Sequence, residues 1–350
     1  MQTFFKQFGG KATPEWIRRY EQSPNWRNGC FQNLEPTRLT PPLTDFPRII
    51  YRQLAVRQGR QPRQPLPVVP FDKSAFLAPA EKARFIWYGH SVVLMRMLGK
   101  TLLIDPMLGP DTSPIAPVPT RRFSAHTLEL IDDFPEIDLL LLTHDHYDHL
   151  DYASIQKLKS KTRRYMVALG VKRHLLSWGV PADLITELDW WDVEEVEGIR
   201  ITFTPTRHFS GRGLNDRCKT LWGGWVFHTA EEKIWFSGDG GYGQHFQEIG
   251  ARLGPFDFAM MECGQYNHDW HDIHLFPHEA VQAAQDAGAQ KAMPVHWGAF
   301  DLSYQHSWKE PPAAFVQAAR EKQLDYALPP LGNMFQVASV MRESWWDQYE

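Results

Sequence analysis

Three imidazoles and a carboxylate crowd into the segment Thr143-His144-Asp145-His146-Tyr147-Asp148-His149-Leu150. No other feature restricts the architecture of the chain so strongly. The segment follows IDLLLLT (137–143) directly, a short continuous apolar run of the kind that forms a strand covered on both faces. It precedes YASIQKLKS (152–160), where Tyr152, Ile155 and Leu158 recur at helical spacing and Asp151 stands at the N-cap position. His144 and His146 are two apart, so in extended chain their rings leave on the same side. Asp148 and His149 fall where the backbone turns into the helix and can reach a second point nearby. Imidazole is neutral near pH 7 and binds metal without losing a proton, so this donor set suits zinc or a related first-row cation.

One loop supplies too few ligands for such a site, and three further candidates stand after expected strands. His208 follows IRITFTPTR, Asp239 follows KIWFSG, and His296 follows KAMPV. Gly238, Gly240 and Gly298 flank two of them, and glycine lets backbone approach a ligand closely. RFIWY (84–88), SVVLMRM (91–97), TLLID (101–105), TLWGGWVFH (220–228), KIWFS (233–237), FDFAMM (256–261) and KAMPV (291–295) all read as strands. In IRITF, Ile199, Ile201 and Phe203 alternate with Arg200 and Thr202, which predicts a half-buried strand. PHEAVQAAQDAG (277–288) reads as a helix with proline in its first turn. Many strands mixed with helices predict an α/β chain of two packed sheets with helices outside. Their order is not legible.

Composition narrows the setting. The 350 residues carry a net charge of −4. Residues 1–80 hold 12 Lys/Arg, 5 Asp/Glu and 11 of the 26 prolines, whereas residues 81–350 hold 25 Lys/Arg against 36 Asp/Glu. A proline-rich basic arm (1–80) is therefore expected before an acidic catalytic body (81–350). QGRQPRQPLPVVP (58–70) reads as extended, polyproline-like chain. The arm either wraps the body or is drawn to anionic lipid or phosphate groups. An acidic body argues against nucleic acid, which needs concentrated basic residues. Three scattered cysteines, Cys30, Cys218 and Cys263, suggest a reducing cytoplasm, and no apolar run reaches membrane-spanning or signal-peptide length.

The order Asp105, H-x-H-x-D-H (144–149), His208, Asp239, His296 resembles the metallo-β-lactamase superfamily. That resemblance implies an αββα sandwich, two mixed β-sheets flanked by helices, with a two-metal site at one edge. His144, His146 and His208 would hold one cation, Asp148, His149 and His296 the other, with Asp239 bridging. Asp105 would orient a ligand histidine from the second shell. WYGHSVVL, LIDPML, THDHYDHLD, TLWGGW, FSGDGGY, IGARLGPFDFAMM and PVHWGAF are similar, over roughly residues 80–330, to the N-acylphosphatidylethanolamine-hydrolysing phospholipase D family. The implied cofactor is a pair of Zn2+ ions, with Mn2+ or Fe2+ as alternatives. His146 stands where iron-based flavodiiron oxidoreductases of that fold carry Glu, which favours hydrolysis over redox chemistry.

The implied chemistry is attack on a phosphodiester by a water that two cations about 3.5–4 Å apart hold as hydroxide. Asp148 and Asp239 would serve it at the metals. His274 aligns with a histidine near the family's reacting centre and would touch phosphate or protonate the leaving alkoxide, with a solvent-facing loop residue as the alternative. Arg212 and Arg217 follow His208 closely; Arg212 is the candidate to grip phosphate, against ordinary surface pairing. Tyr147 and Tyr242 are candidate pocket residues, with core packing the plainer reading. Tyr266, Trp270 and Phe276 would meet an acyl chain or fill the core. His90 is expected to be structural or second-shell, and His268, His271 and His278 are not expected to build another site. The expected partners are a phospholipid or other phosphodiester and a peripheral membrane contact, with a homodimer left open. Another metallohydrolase (a sugar-phosphate lactonase, β-lactamase or small phosphodiesterase) is the alternative, and a nuclease is disfavoured by charge.

Overall fold

The computed structural model describes residues 6–55, 59–112, 120–339 and 341–349. In chain order its strands begin with a small hairpin, β1 (Trp26–Arg27) and β2 (Cys30–Phe31). The first large sheet then takes β3 (Arg84–Trp87), β4 (Val93–Met97), β5 (Lys100–Ile104), β6 (Leu139–Leu142), β7 (Tyr165–Ala168) and β8 (Ile185–Leu188). The second takes β9 (Val193–Val196), β10 (Ile199–Thr204), β11 (Gly224–His228), β12 (Lys233–Phe236), β13 (Phe258–Glu262), β14 (Lys291–Val295) and β15 (Asp325–Tyr326). β16 (Met334–Phe335) returns to the edge of the first.

The orders are β16-β3-β4-β5-β6-β7-β8 and β15-β14-β13-β12-β11-β10-β9. Each sheet is antiparallel on one side and parallel on the other. The change comes at β5 in the first sheet, where β4 pairs antiparallel and β6 parallel. In the second it comes at β12, between β11 and β13. Both are mixed, and they pack face to face: Phe85 of β3 lies 5.5 Å from Phe258 of β13, ring to ring. Helices such as Tyr152–Leu158 and Pro277–Asp286 follow β6 and precede β14, giving the αββα arrangement expected. Asp151 caps the first of these through the N–H groups of Ala153 and Ser154.

β6 is buried at all four positions, as its unbroken leucine run requires. β10 departs from simple alternation, because Thr202 is buried along with Ile201 and Phe203 and only Arg200 faces water. Six tryptophans, among them Trp87, Trp225 and Trp235, are fully buried, so their abundance reflects core packing. Residues 6–80 have no separate core: Tyr20, Trp26, Phe31, Leu66 and Phe76 join that of the body. Residues 59–70 carry neither helix nor strand, and Gln58 lies outside the described residues. Among the described residues no helix is long and apolar enough to cross a membrane.

Candidate metal centre

Strands β5, β6, β12, β13 and β14 end at the same edge of the sandwich, and their loops carry the polar residues. Asp105 immediately follows β5, the histidine loop follows β6, Asp239 follows β12, and His296 follows β14. His208 comes four residues beyond β10. The seven expected ligands converge in two groups. His144, His146 and His208 present ring nitrogens within 4.8 Å of one another. His149 Nε2 and His296 Nε2 lie 3.1 and 2.9 Å from Asp239 Oδ2, and Asp148 Oδ2 lies 3.4 Å from His296 Nε2. Asp239 Oδ2 also stands 4.0 Å from His208 Nε2, between the two groups.

The hydrogen bonds behind these rings decide which nitrogens carry lone pairs. Thr143 donates its hydroxyl to Asp105 (2.6 Å), so its oxygen accepts from His144 Nδ1 at 2.9 Å. His208 Nδ1 donates to the Ile273 carbonyl at 2.9 Å, and His149 Nδ1 to Asp105 at 2.8 Å. His296 Nδ1 faces the Gly264 carbonyl at 3.3 Å. With Nδ1 protonated, each Nε2 turns its lone pair inward. His144 Nε2 then stands 2.9 Å, and His208 Nε2 3.2 Å, from Nδ1 of His146. Converging acceptors of this kind are the donor set a divalent cation fits.

Electrostatics agree. Burial and the neighbouring imidazoles hold His144 and His208 well below the ordinary histidine value, and burial lowers His146. Burial alone would raise Asp148 and Asp239 and depress His149 and His296. Mutual attraction outweighs it: both carboxylates stay well below their usual range, His149 rises to about 10, and His296 rises well above its ordinary value. The two carboxylates therefore hold their negative charge in the interior and draw positive charge to it, the charge that a bound cation would supply.

A cavity of about 610 Å³ opens onto this cluster; His146, Asp148, His208, Asp239 and His296 line it, and so does His274. His274 Nδ1 is 3.1 Å from Glu262 Oε1, and Glu262, almost fully buried at the end of β13, also accepts from the Leu275 N–H at 2.7 Å. Among the residues sequence reasoning left unassigned, Glu262 closes the apolar run FAMM with a charge, a signal that was available. His90, expected to be structural or second-shell, is fully buried; its ring lies 3.9 Å from that of His296 and its Nε2 2.9 Å from Asp148.

Three expected substrate contacts are corrected. Arg212 is buried outside the cavity, where its guanidinium donates to the carbonyls of Asp145, Leu150 and Gln7 and stacks 4.0 Å over Tyr147. Tyr147 donates its hydroxyl to the Arg212 carbonyl at 2.5 Å, so both serve loop packing. Tyr242 is held by Asp286 and likewise lies outside the cavity lining. Arg217 is the arginine that lines the cavity, 4.7 Å over Phe209. Trp270 lines it too, whereas Tyr266 is buried against Phe276 at 4.8 Å. His268, His271 and His278 form no ligand group among the described residues, and His271 pairs with Glu279 at 2.7 Å.

Comparison with known proteins adds independent support. A family model described as a β-lactamase superfamily domain matches residues 100–297. An uncharacterised protein of Mycobacterium tuberculosis is 37% identical over 332 residues, 93% of this chain and 88% of its own. N-acyl-phosphatidylethanolamine-hydrolyzing phospholipase D 1 of Caenorhabditis elegans is 31% identical over 237 residues, 64% of this chain and 66% of that protein. The solved structure of Igni18, a metallo hydrolase of Ignicoccus hospitalis, superposes with a TM-score of 0.56 at 20% identity, covering 73% of this chain and 97% of that one. That match concerns the fold alone. A family match over more than half of the length, on a sandwich whose strand ends gather this donor set, makes the chain a metal-dependent hydrolase of the metallo-β-lactamase superfamily.

Proposed function

We propose that the chain is a phospholipase D-type phosphodiesterase, with zinc as its metal, acting on N-acylphosphatidylethanolamine or a related phospholipid at a lipid surface. The observation that carries this reading is the two-sided character of the cavity. The ligand cluster and the exposed Arg217 give it a polar lining, whereas Leu39, Phe209, Leu214, Trp270 and Leu302 give it apolar walls. An amphiphile with an anionic headgroup matches both. Leu214, at the rim, is 99% exposed. The helix Phe46–Ala55 buries none of its residues, and Ile50, Tyr51 and Leu54 stand in water. Arg48, 2.5 Å from Asp269, ties it to the short helix His268–Ile273 that carries Trp270 of the cavity lining. From Phe46 to Phe71 the sequence holds five arginines and no acidic residue; Arg48 and Arg60 pair with Asp269 and Asp301, and the remaining positive charge suits an anionic membrane. The likeness to the Caenorhabditis elegans enzyme supports the same substrate class.

Bound at these residues, two divalent cations would supply a nucleophilic water near neutral pH and Lewis acidity toward phosphoryl oxygens. The imidazole-rich set favours zinc. Arg217, whose Nη2 donates to the Leu39 carbonyl at 2.6 Å, has further N–H groups to offer a phosphate oxygen. His274, its Nδ1 turned to Glu262, presents Nε2 to the cavity and can hand a proton to a departing alkoxide. Asp105, Glu262 and the Ile273 carbonyl fix the rings.

The test is turnover by zinc-loaded protein of N-acylphosphatidylethanolamine in mixed vesicles, beside a lactone, a β-lactam and a soluble phosphodiester. Phosphatidic acid release, abolished by His146→Ala without loss of fold, is expected. Cleavage of only the soluble esters would overturn the lipid reading.

A further inference from the structure

His208 lies beyond the end of β10, where no ladder holds its backbone. A residue far away in sequence does so instead. The side chain of Asn33 donates from Nδ2 to the His208 carbonyl at 2.8 Å, and its Oδ1 accepts the His208 N–H at 3.0 Å. Trp222 Nε1 donates to the same Oδ1 at 3.1 Å. With two N–H groups on its oxygen and a carbonyl on its nitrogen, the amide has one orientation and pairs with His208 as a second peptide strand would. The neighbouring stretch is stitched down on both sides. Arg207 donates to Thr37 Oγ1 at 3.1 Å and to the Pro36 carbonyl at 2.7 Å, and the Arg38 N–H donates to Asp272 at 2.7 Å. Asp272 precedes Ile273, whose carbonyl fixes the His208 ring.

We infer that Asn33 is a positioning residue of the metal centre: through the His208 backbone it sets where the third nitrogen of the His144–His146–His208 group stands. The inference rests on the metal-centre reading and is independent of the substrate. His208 reaches inward from a loop, and its ring is otherwise held by the Ile273 carbonyl at the end of the short helix His268–Ile273. Releasing its N–H and C=O frees the loop by small displacements, and metal affinity responds steeply to the outer groups that orient a ligand. Such losses typically weaken binding about 10–100-fold. The basic arm is then a working part of the centre as well as a cover for the body.

The test uses the full chain and zinc alone, with affinities and stoichiometry read by chelator competition, and thermal melts of the metal-free forms alongside. Asn33→Ala is expected to weaken one of two zinc sites by roughly 10–100-fold. Asn33→Asp, which keeps the acceptor and loses the donor, should fall between. Asn25→Ala is the control, because Asn25 also ties the arm to the body, 2.7 Å from Asp189, away from the ligands. It should lower the metal-free melting temperature without changing zinc affinity. Unchanged affinity in Asn33→Ala, with a melting loss like that of Asn25→Ala, would overturn the inference and leave only a structural strap. Should Asn33→Ala fail to fold, wild-type affinity in Asn33→Asp overturns it equally. Failure of the wild-type chain to take up two zinc ions would instead sink the metal-centre reading itself.

Discussion

Arg212 and Arg217 lie on one loop and carry the same charge, yet one is interior scaffolding and the other faces the cavity. The difference decides what each substitution does. Arg212→Ala removes the buried donor of three backbone carbonyls and is expected to cost about 2–4 kcal/mol of stability, read by denaturant unfolding. Arg217→Ala should leave stability nearly unchanged and raise KM for a phosphodiester roughly tenfold with kcat little altered, the mark of lost uniform binding. Equal melting losses in both variants would contradict this placement. At this scale the sequence was legible where chemistry is local. H-x-H-x-D-H names its own role, because spacing along a strand and a helix entry fixes where the side chains leave. The facing of an arginine in a loop depends on which distant carbonyls lie beneath it, and nothing in HFSGRGLNDR reveals those. His90 was read as structural or second-shell, but its partner Asp148 was not legible, because that contact arises only when the turn after β3 meets the histidine loop.

Strand ends set the tolerance of the site to backbone change. Gly264 follows β13, and a Cβ there would lie 1.9 Å from the carbonyl oxygen of His296, a residue already in the left-handed region at φ 69°. Backbone cannot yield as a flexible side chain can, so Gly264→Ala is expected to displace His296. The stability loss should be about 1–3 kcal/mol, and zinc content by elemental analysis should fall toward one per chain. The helix Phe46–Ala55 offers the opposite case, an element that buries none of its residues. Ile50→Asp combined with Leu54→Asp should leave the melting temperature within a degree or two, yet release the protein from anionic vesicles in a sedimentation assay. Retained binding would remove that helix from the lipid surface. Most buried strands were readable from their apolar runs, though YMVA of β7 was passed over, and the helix after β6 was readable from its cap. The edge strands β8 and β9 were not, since ITEL and VEEV carry charges that an edge tolerates and no alternation survives. The helix Glu310–Glu321 was overlooked because EPPAAFVQAARE opens on two prolines, although proline is at home in a first helical turn.

For the molecule as a whole, buried neutral imidazoles outside the centre contribute to the response to acid. Burial, aided by the charge of Arg207, pushes His245 down to about 3, and burial with Arg173 pushes His174 to about 4. The unfolded chain takes up these protons near pH 6.5 while the folded chain refuses them until far lower. Stability is therefore fully present above about pH 6.5 and falls as pH drops from there toward 4 and 3. Melting temperature measured from pH 7 to pH 4.5 should decline, and His245→Phe should flatten the slope; an unaltered slope would exclude His245 as a contributor.

The centre draws on β5 and β6 of one sheet and on the loops after β10, β12 and β14 of the other, with Asn33 reaching in from the arm. During synthesis the ribosome releases these groups in the order of the chain, and His296 emerges last. A nascent polypeptide therefore owns most of the donors long before it owns the pocket, and metal capture in its final arrangement belongs to the closing moments of folding. Ions picked up earlier would be held by incomplete and mismatched sets, so the chain is served best by scarce free metal until its last strands are out.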